Sequence, residues 1–128
     1  MGNLTNEYGR IITNDLYFTP IQYDADLTMD GTGQATAIAT GVTRLRITNS
    51  GATTEDIRLA FGASSAAAVT ALTVTGSPAA ATTGMLIKPT VDSTEGYEVI
   101  GVPTTATHFA IANATGGDTQ VISVTQGN

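Results

Sequence analysis

The alternation of apolar and polar residues is clearest in the last third of the chain, residues 96–127. In one run of this segment, Phe109 and Ile111 fall on one side of an extended backbone, and Ala110 and Ala112 fall on the other. Side chains alternate across a pleated strand, so this period of two predicts β-structure. Three such runs, separated by turn-forming residues, predict three consecutive antiparallel strands. We expect them to form one sheet that packs against a sheet from the rest of the chain.

A second alternating region lies in the middle of the chain, at residues 42–48 and 57–61. Leu45 and Ile47 would point inward from the first of these strands. A turn signal separates the two strands, so we predict a hairpin with a loop longer than the tightest type. Its outward positions hold three arginines, which would share one exposed face: Arg44, Arg46 and Arg58. That face would be either simply solvated or a contact for an acidic partner surface.

The remaining apolar runs are shorter and less regular. We predict strands at residues 21–27, 33–41, 69–75 and 85–91, with loops at 64–68 and 76–84. The β-branched residues of 69–75 lose rotamer freedom in a helix, so we expect a strand there although alanines precede it. No segment shows a convincing amphipathic helical period. Roughly seven to nine short strands with regular turn signals predict an all-β sandwich or barrel, with a single domain over residues 20–128.

Residues 1–19 follow neither the strand period nor the helix period, and Pro20 ends this segment. We predict an extended N-terminal arm that docks on a sister subunit or on another partner. Five apolar side chains would carry that contact: Ile11, Ile12, Leu16, Tyr17 and Phe18. Two alternatives stay open. The arm would be a frayed terminus, since chain ends are disordered unless tied down, or it would fold back as an edge strand of its own sandwich.

Composition narrows the possible partners. The chain has a net charge of −6 and only five basic residues. This argues against nucleic acid, because phosphates require clustered Lys and Arg. Charged residues make up only 12% of the chain, against an ordinary value of about 25%. A thin core under a weakly charged surface indicates that other subunits cover part of that surface. We therefore expect a homo-oligomer, with a trimer favoured over a dimer.

Few residues in the chain are chemically reactive. There is no cysteine and one histidine, His108, which we expect to make a hydrogen bond at a strand end. Asp24, Asp26 and Asp30 suggest a calcium loop, but their spacing departs from the EF-hand pattern, and acidic turn residues explain them better. We therefore predict no enzyme activity, cofactor or metal. A membrane-spanning apolar run and a secretory signal are both missing, so we expect synthesis in a cytoplasm and no membrane contact.

Four segments stand out when the chain is taken in order. They are residues 42–49 (VTRLRITN) running into a glycine turn, 59–62 (LAFG), 98–103 (EVIGVP), and 108–112 (HFAIA) running into a glycine-rich turn. Together they resemble the head decoration (cement) proteins of tailed bacteriophages, over about residues 42–128. The resemblance implies a jelly-roll-like antiparallel β-sandwich that self-associates and binds the outside of a capsid shell without catalysis.

We therefore expect a non-enzymatic virion structural protein that is made in the host cytoplasm and stabilises a phage head by binding its outer surface. Its partners would be further copies of itself and the shell of major capsid protein. The alternative is a receptor- or carbohydrate-binding β-module of a phage tail or fibre, which would need an aromatic-lined groove. Three of the four tyrosines, Tyr8, Tyr17 and Tyr23, lie near the N-terminus, which disfavours such a groove.

Overall fold

Strands dominate the computed structural model, which describes residues 18–49, 56–87, 97–115 and 119–128. Strands account for 52% of the chain, and the described residues include one short helix. The strands are β1 Pro20–Met29, β2 Gln34–Ala37, β3 Arg44–Asn49, β4 Ile57–Gly62, β5 Val74–Thr75, β6 Ala80–Ala81, β7 Met85–Ile87, β8 Tyr97–Gly101, β9 His108–Asn113 and β10 Gln120–Gly127, and the helix α1 is Ser65–Thr70. The prediction of an all-β fold is confirmed.

Eight of the strands form two antiparallel four-stranded sheets. Sheet 1 has the strand order β1-β10-β3-β8, and sheet 2 has the order β2-β9-β4-β7, while β5 and β6 form a separate pair. The chain changes sheet at every step along these eight strands except from β4 to β7. Apolar side chains from both sheets pack together in one cluster, which gives a β-sandwich-like arrangement.

The predicted hairpin of the two central strands is wrong. The strands exist as β3 and β4, but β3 pairs with β10 and β8, whereas β4 pairs with β9 and β7. Leu45 and Ile47 of β3, and Ile57 and Leu59 of β4, are each at most 1% exposed. Placing the two strands in facing sheets lets these apolar sides cover each other, which removes both from water.

The last third of the chain is also divided between the sheets. β8 and β10 belong to sheet 1 and β9 belongs to sheet 2, so the predicted run of three consecutively paired strands is wrong. The predicted faces of β9 are confirmed. Phe109 and Ile111 are fully buried in the cluster between the sheets, while Ala110 and Ala112 are fully buried in a second cluster on the other side of the strand.

A third layer covers the outer side of sheet 2. It consists of α1, the residues that follow it, and the β5–β6 hairpin. Small side chains allow a close approach of this layer: a Cβ on Gly62 of β4 would lie only 2.4 Å from the Ala68 nitrogen of α1. The buried residues of the apolar cluster between sheet 2 and this layer are Ala60, Ala68, Leu72, Ala81, Ala110 and Ala112.

The helix α1 overturns two sequence predictions, the loop at residues 64–68 and the strand at 69–75. Ser64 begins the helix, because its Oγ accepts a hydrogen bond from the Ala67 nitrogen at 3.1 Å and so satisfies a free N–H of the first turn. Of the predicted strand, β5 alone is extended. Burial of Ala68 against sheet 2 adds tertiary packing, which outweighs the weak helix propensity of the β-branched residues.

The other predicted strands differ from the observed ones mainly in length. β1 is longer than the strand predicted at residues 21–27, and β2 is shorter than the one predicted at 33–41. β6 lies inside the segment 76–84, which we predicted to be entirely loop. Pro103 comes after the end of β8, where its missing N–H interrupts no ladder.

One buried polar side chain joins the two sheets. Gln126 of β10 is 0% exposed and follows the core residues Ile122 and Val124 on the same side of its strand. Its Oε1 accepts a hydrogen bond from the Ala39 nitrogen at 2.7 Å, and its Nε2 donates to the Ala37 oxygen at 3.0 Å. The side-chain amide of Gln126 therefore bonds a backbone N–H and a backbone carbonyl at the end of β2, an edge strand of sheet 2. A neighbouring strand would satisfy the same two groups with its own backbone.

Candidate interaction surface

The register of sheet 1 defines its outer face. Thr125 pairs with Tyr23 on one side and with Arg46 on the other, and Arg46 pairs with Val99. Paired residues share a face, so these residues form a row across the four strands. The row points outward, because the adjacent Ile47 points into the core. We call the following residues the outer face: Tyr23, Arg44, Arg46, Thr48, Val99, Val121, Ser123 and Thr125.

The outer face offers mostly hydroxyl and methyl groups, with two guanidinium groups among them. Arg46, Thr48, Val99 and Thr125 are half-buried, while Tyr23 on the edge strand β1 is 61% exposed. The layer of α1, β5 and β6 packs on the opposite side of the molecule, against sheet 2. The two sheets therefore differ: sheet 2 is covered by a third layer of the same chain, and sheet 1 is not covered by that layer.

Phe18 packs on the outer face beside the end of β10. Its side chain is 9% exposed, and the guanidinium carbon of Arg46 lies 5.6 Å from the centre of its ring, within the range of a cation–π contact. Gly127 makes room for the ring, because a Cβ there would lie 2.7 Å from Phe18 Cζ. Thr19 fixes the chain beside it: the Thr19 nitrogen donates to the Asn128 oxygen at 2.7 Å, and the Asn128 nitrogen donates to the Thr19 oxygen at 3.1 Å.

The three arginines singled out from the sequence do not share one face. Arg44 and Arg46 belong to the outer face of sheet 1, but Arg58 lies in sheet 2, where it pairs with Ala112. Ala112 packs under the third layer, so Arg58 points to that side of the molecule. The Arg58 Nη1 donates to the Gly84 oxygen at 3.0 Å, and its buried Nε has no hydrogen-bond partner within the described part of the chain.

Of the five apolar residues predicted to dock on a partner, Phe18 alone belongs to the described residues. Ile11, Ile12, Leu16 and Tyr17 lie outside them. Phe18 contacts its own sandwich, as given above, so this end of the predicted arm begins on the outer face of sheet 1. The docking of all five residues on a partner stays a prediction.

The acidic residues considered for calcium lie in β1 and in the turn that follows it. In that turn, the Asp30 Oδ1 accepts hydrogen bonds from the Thr32 hydroxyl and from the Thr32 nitrogen, the latter at 2.8 Å. The hydroxyl first, and the backbone N–H second, lower the pKa of the Asp30 carboxyl below its ordinary value, because both stabilise the charged form. Asp24 and Asp26 lie in β1. Among the described residues, no group of three or more His, Asp or Glu residues could hold a metal ion.

A groove of about 280 Å³ opens at one end of the sandwich, between the β2–β3 and β8–β9 connections. No aromatic or ionisable side chain of the described residues lines this groove, so it offers aliphatic and hydroxyl contacts only. Its main side chains are Ile38, Val42, Thr43, Val102, Pro103 and Thr107. His108 follows it at the start of β9, half-buried, with its Nδ1 2.9 Å from the Thr107 Oγ1.

Comparison with protein family models, curated proteins and solved structures finds no match to this chain. The helix α1, the one helix among the described residues, is not long and apolar enough to cross a membrane. The sequence pointed to Arg46 and Phe18 separately but not to their contact. That contact depends on Gly127, which leaves room for the Phe18 ring. The position of Gly127 at the end of the last predicted strand does not reveal this role.

Proposed function

We propose that this chain is a non-enzymatic virion structural protein with a jelly-roll fold, which self-associates and decorates the outer surface of a bacteriophage head. The observation that carries the proposal is the strand order. A jelly roll has eight strands in two facing sheets connected as two Greek keys. The orders β1-β10-β3-β8 and β2-β9-β4-β7 fit that scheme, with α1, β5 and β6 as an insertion between its fourth and fifth strands.

The asymmetry of the two sheets supports a role in assembly. The outer face of sheet 1 spans four strands, and six of its eight residues are half-buried, while Ser123 is buried and Tyr23 is exposed. It is made largely of hydroxyl and methyl groups, and it carries Arg44 and Arg46. Protein interfaces combine apolar contact with hydrogen bonds, and Arg is enriched in them. A broad face of this kind is suited to contact with another protein surface, whereas small ligands are held in concave sites.

A second candidate is a receptor- or carbohydrate-binding module of a phage tail or fibre. The groove of about 280 Å³ between the β2–β3 and β8–β9 connections is the observation in its favour. Its described lining has no aromatic ring on which a sugar would stack, and its hydrogen-bonding side chains are threonines. Decoration of a head is therefore the function that the surfaces support better.

Binding to phage heads tests the proposal. The full chain would be mixed with heads purified from the phage whose genome encodes it, after removal of any bound copies, and sedimented with them. We expect saturable binding in fixed proportion to the major capsid protein and a higher temperature of head disruption, because a ligand that binds the assembled state stabilises it. Lack of binding to such heads, or binding to tails or glycans instead, would overturn the proposal.

Two matched substitutions sharpen the experiment. Arg44→Ala removes a guanidinium from the outer face of sheet 1, and Arg58→Ala removes one from sheet 2. If the outer face meets the shell or a sister subunit, Arg44→Ala should weaken head binding more than Arg58→Ala does. Equal binding by the two variants would show that head binding uses another surface.

A further inference from the structure

We propose that the outer face of sheet 1 is a docking surface for residues 1–17 of a second copy of this chain. The inference rests on the self-association in the proposed function, but it does not require binding to a shell. Each copy would then both extend a segment and receive one. Three features support it: the place of Phe18 on the sandwich, the length of residues 1–17, and the chemistry of the receiving face.

The segment joins the described chain at Phe18, whose ring lies on the outer face. Thr19 is fixed to Asn128 by two hydrogen bonds, and the Phe18 ring packs beside Gly127 and under the Arg46 guanidinium. Arg46 lies on β3, the third strand of sheet 1 when counted from β1. The Phe18 ring therefore lies over the end of β10 and meets a side chain of β3, and residues 1–17 precede it in the sequence.

Residues 1–17, when extended, are much longer than the outer face of sheet 1 is wide. Neighbouring strands lie about 4.8 Å apart, so four strands span about 14 Å. An extended chain covers about 3.3–3.6 Å per residue, so the 17 residues reach up to about 56–61 Å. Ile12 precedes Phe18 by six residues, which corresponds to a reach of about 20 Å. Residues 1–17 are therefore long enough, when extended, to reach beyond their own sandwich to another copy.

The face and the segment have complementary chemistry. The outer face presents valine and threonine methyl groups together with the guanidinium groups of Arg44 and Arg46. The segment supplies seven apolar or aromatic side chains, and two carboxylates against one guanidinium, in a chain whose net charge is −6. The apolar and aromatic residues are Met1, Leu4, Tyr8, Ile11, Ile12, Leu16 and Tyr17, and the charged ones are Glu7, Asp15 and Arg10. Arg44 is a cation that the face of this mostly acidic molecule offers to such a segment.

Cross-linking between distinguishable copies tests the proposal. The chain has no native cysteine, so only the introduced thiols would react with the cross-linker. A tagged Ile12→Cys chain would be co-expressed with an untagged Val99→Cys chain, since Val99 lies on β8 at the end of the outer row. The purified full-length mixture would be treated with a short bis-maleimide cross-linker. The control replaces the second chain with Ala66→Cys, an exposed position of α1 on the other side of the molecule.

Docking holds two thiols at an effective concentration in the millimolar range, so at about 10 μM protein we expect a tagged–untagged product on the order of a hundredfold faster with Val99→Cys than with Ala66→Cys. Ile11→Cys and Thr125→Cys form a second pair in case a first variant misfolds, with folding checked by circular dichroism.

Equal rates for Val99→Cys and Ala66→Cys would refute the proposal. So would a product found only within one chain when Ile12→Cys and Val99→Cys are combined, since the segment would then cover its own sheet. Either result leaves the head-binding experiment unaffected, so a failure of this inference is distinguishable from a failure of the proposed function.

Discussion

At the scale of single residues, Gly127 controls how closely the chain before β1 approaches β10. We expect Gly127→Ala to destabilise the protein, because the added Cβ would lie 2.4 Å from the Thr19 oxygen and 2.7 Å from Phe18 Cζ. Forcing an extra methyl group into such a contact costs roughly 1–3 kcal/mol of unfolding free energy. Chemical denaturation measures the change directly.

Gly101 provides the matched control for this substitution, since both glycines pair with Arg44, one from each side. A Cβ at Gly101 would meet no atom within 4 Å. Gly101→Ala should therefore be neutral or stabilise by about 0.4–1 kcal/mol, through the unfolded chain. Equal unfolding free energies for the two variants would contradict the close approach of Phe18 and Thr19 to Gly127.

The lowered pKa of the Asp30 carboxyl predicts how the stability of the protein depends on pH. The charged carboxylate stabilises the folded protein fully above the ordinary carboxyl pKa, and this stabilisation is lost as pH falls through the lowered value. Thr32→Val removes the hydroxyl donor and keeps the backbone donor, so the Asp30 pKa should rise towards its ordinary value. A carboxyl titration by NMR measures this shift. Asp30→Asn is the control and should weaken the dependence of stability on acidic pH.

At the scale of elements, α1 shows how local chemistry decided against the sequence prediction. β-branched residues after an alanine run favoured a strand, but the Ser64 cap and the burial of Ala68 favour a helix instead. Ser64→Ala should cost about 0.5–2 kcal/mol, because the Ala67 N–H loses its acceptor. Ser65→Ala, one position later and exposed, should be neutral or slightly stabilising, since alanine is the better helix former. Equal thermal midpoints for the two variants would contradict the capping role.

The contact between β10 and the end of β2 makes a prediction about how the sheets are joined. Gln126→Met keeps the length of the side chain but leaves the Ala39 N–H and the Ala37 carbonyl without their partner. Each buried group left unsatisfied costs roughly 1–3 kcal/mol. Gln22→Met, at the exposed position opposite Gln126 in the register, should cost clearly less. Urea denaturation compares the unfolding free energies of the two variants. Similar losses would show that the hydrogen bonds of Gln126 do not stabilise the fold.

The alternation of apolar and polar residues predicts the strands and their faces better than it predicts which strands pair. Alternation placed Phe109 and Ile111 on one side of β9 and Ala110 on the other, and burial bears this out. Alternation alone does not say whether the next strand pairs beside the first or crosses to a facing sheet, because both arrangements bury the same residues. For that reason alternation predicts one shared surface for Arg44 and Arg58, although the two residues lie on different sheets.

At the scale of the whole molecule, the chain is layered unevenly. Sheet 1, sheet 2 and the α1 layer follow one another, with apolar clusters at both internal boundaries. The alanine-rich layer uses small side chains to close sheet 2. The outer face of sheet 1 holds Arg46 and the Phe18 ring instead. This order of layers gives the molecule one side that its own helix closes and one side on which its N-terminal segment begins.

The oligomeric state is the prediction that belongs to the whole molecule, and we expect a homo-oligomer, with a trimer favoured over a dimer. A segment that leaves one copy and docks on the next makes a head-to-tail contact, which closes into a ring when the rotation between copies allows it. Sedimentation of the full chain at micromolar concentration should give a multiple of the 13.0 kDa mass. Its thermal midpoint should rise with concentration, because association stabilises the folded state by mass action.

A chain that begins at Phe18 is the matched comparison, because it keeps the contacts of Phe18 with Arg46 and of Thr19 with Asn128. It should sediment as a folded monomer with a midpoint that does not depend on concentration. A full chain that stays monomeric at high concentration would contradict the predicted oligomer. A shortened chain that still associates would show that a surface other than residues 1–17 holds the copies together.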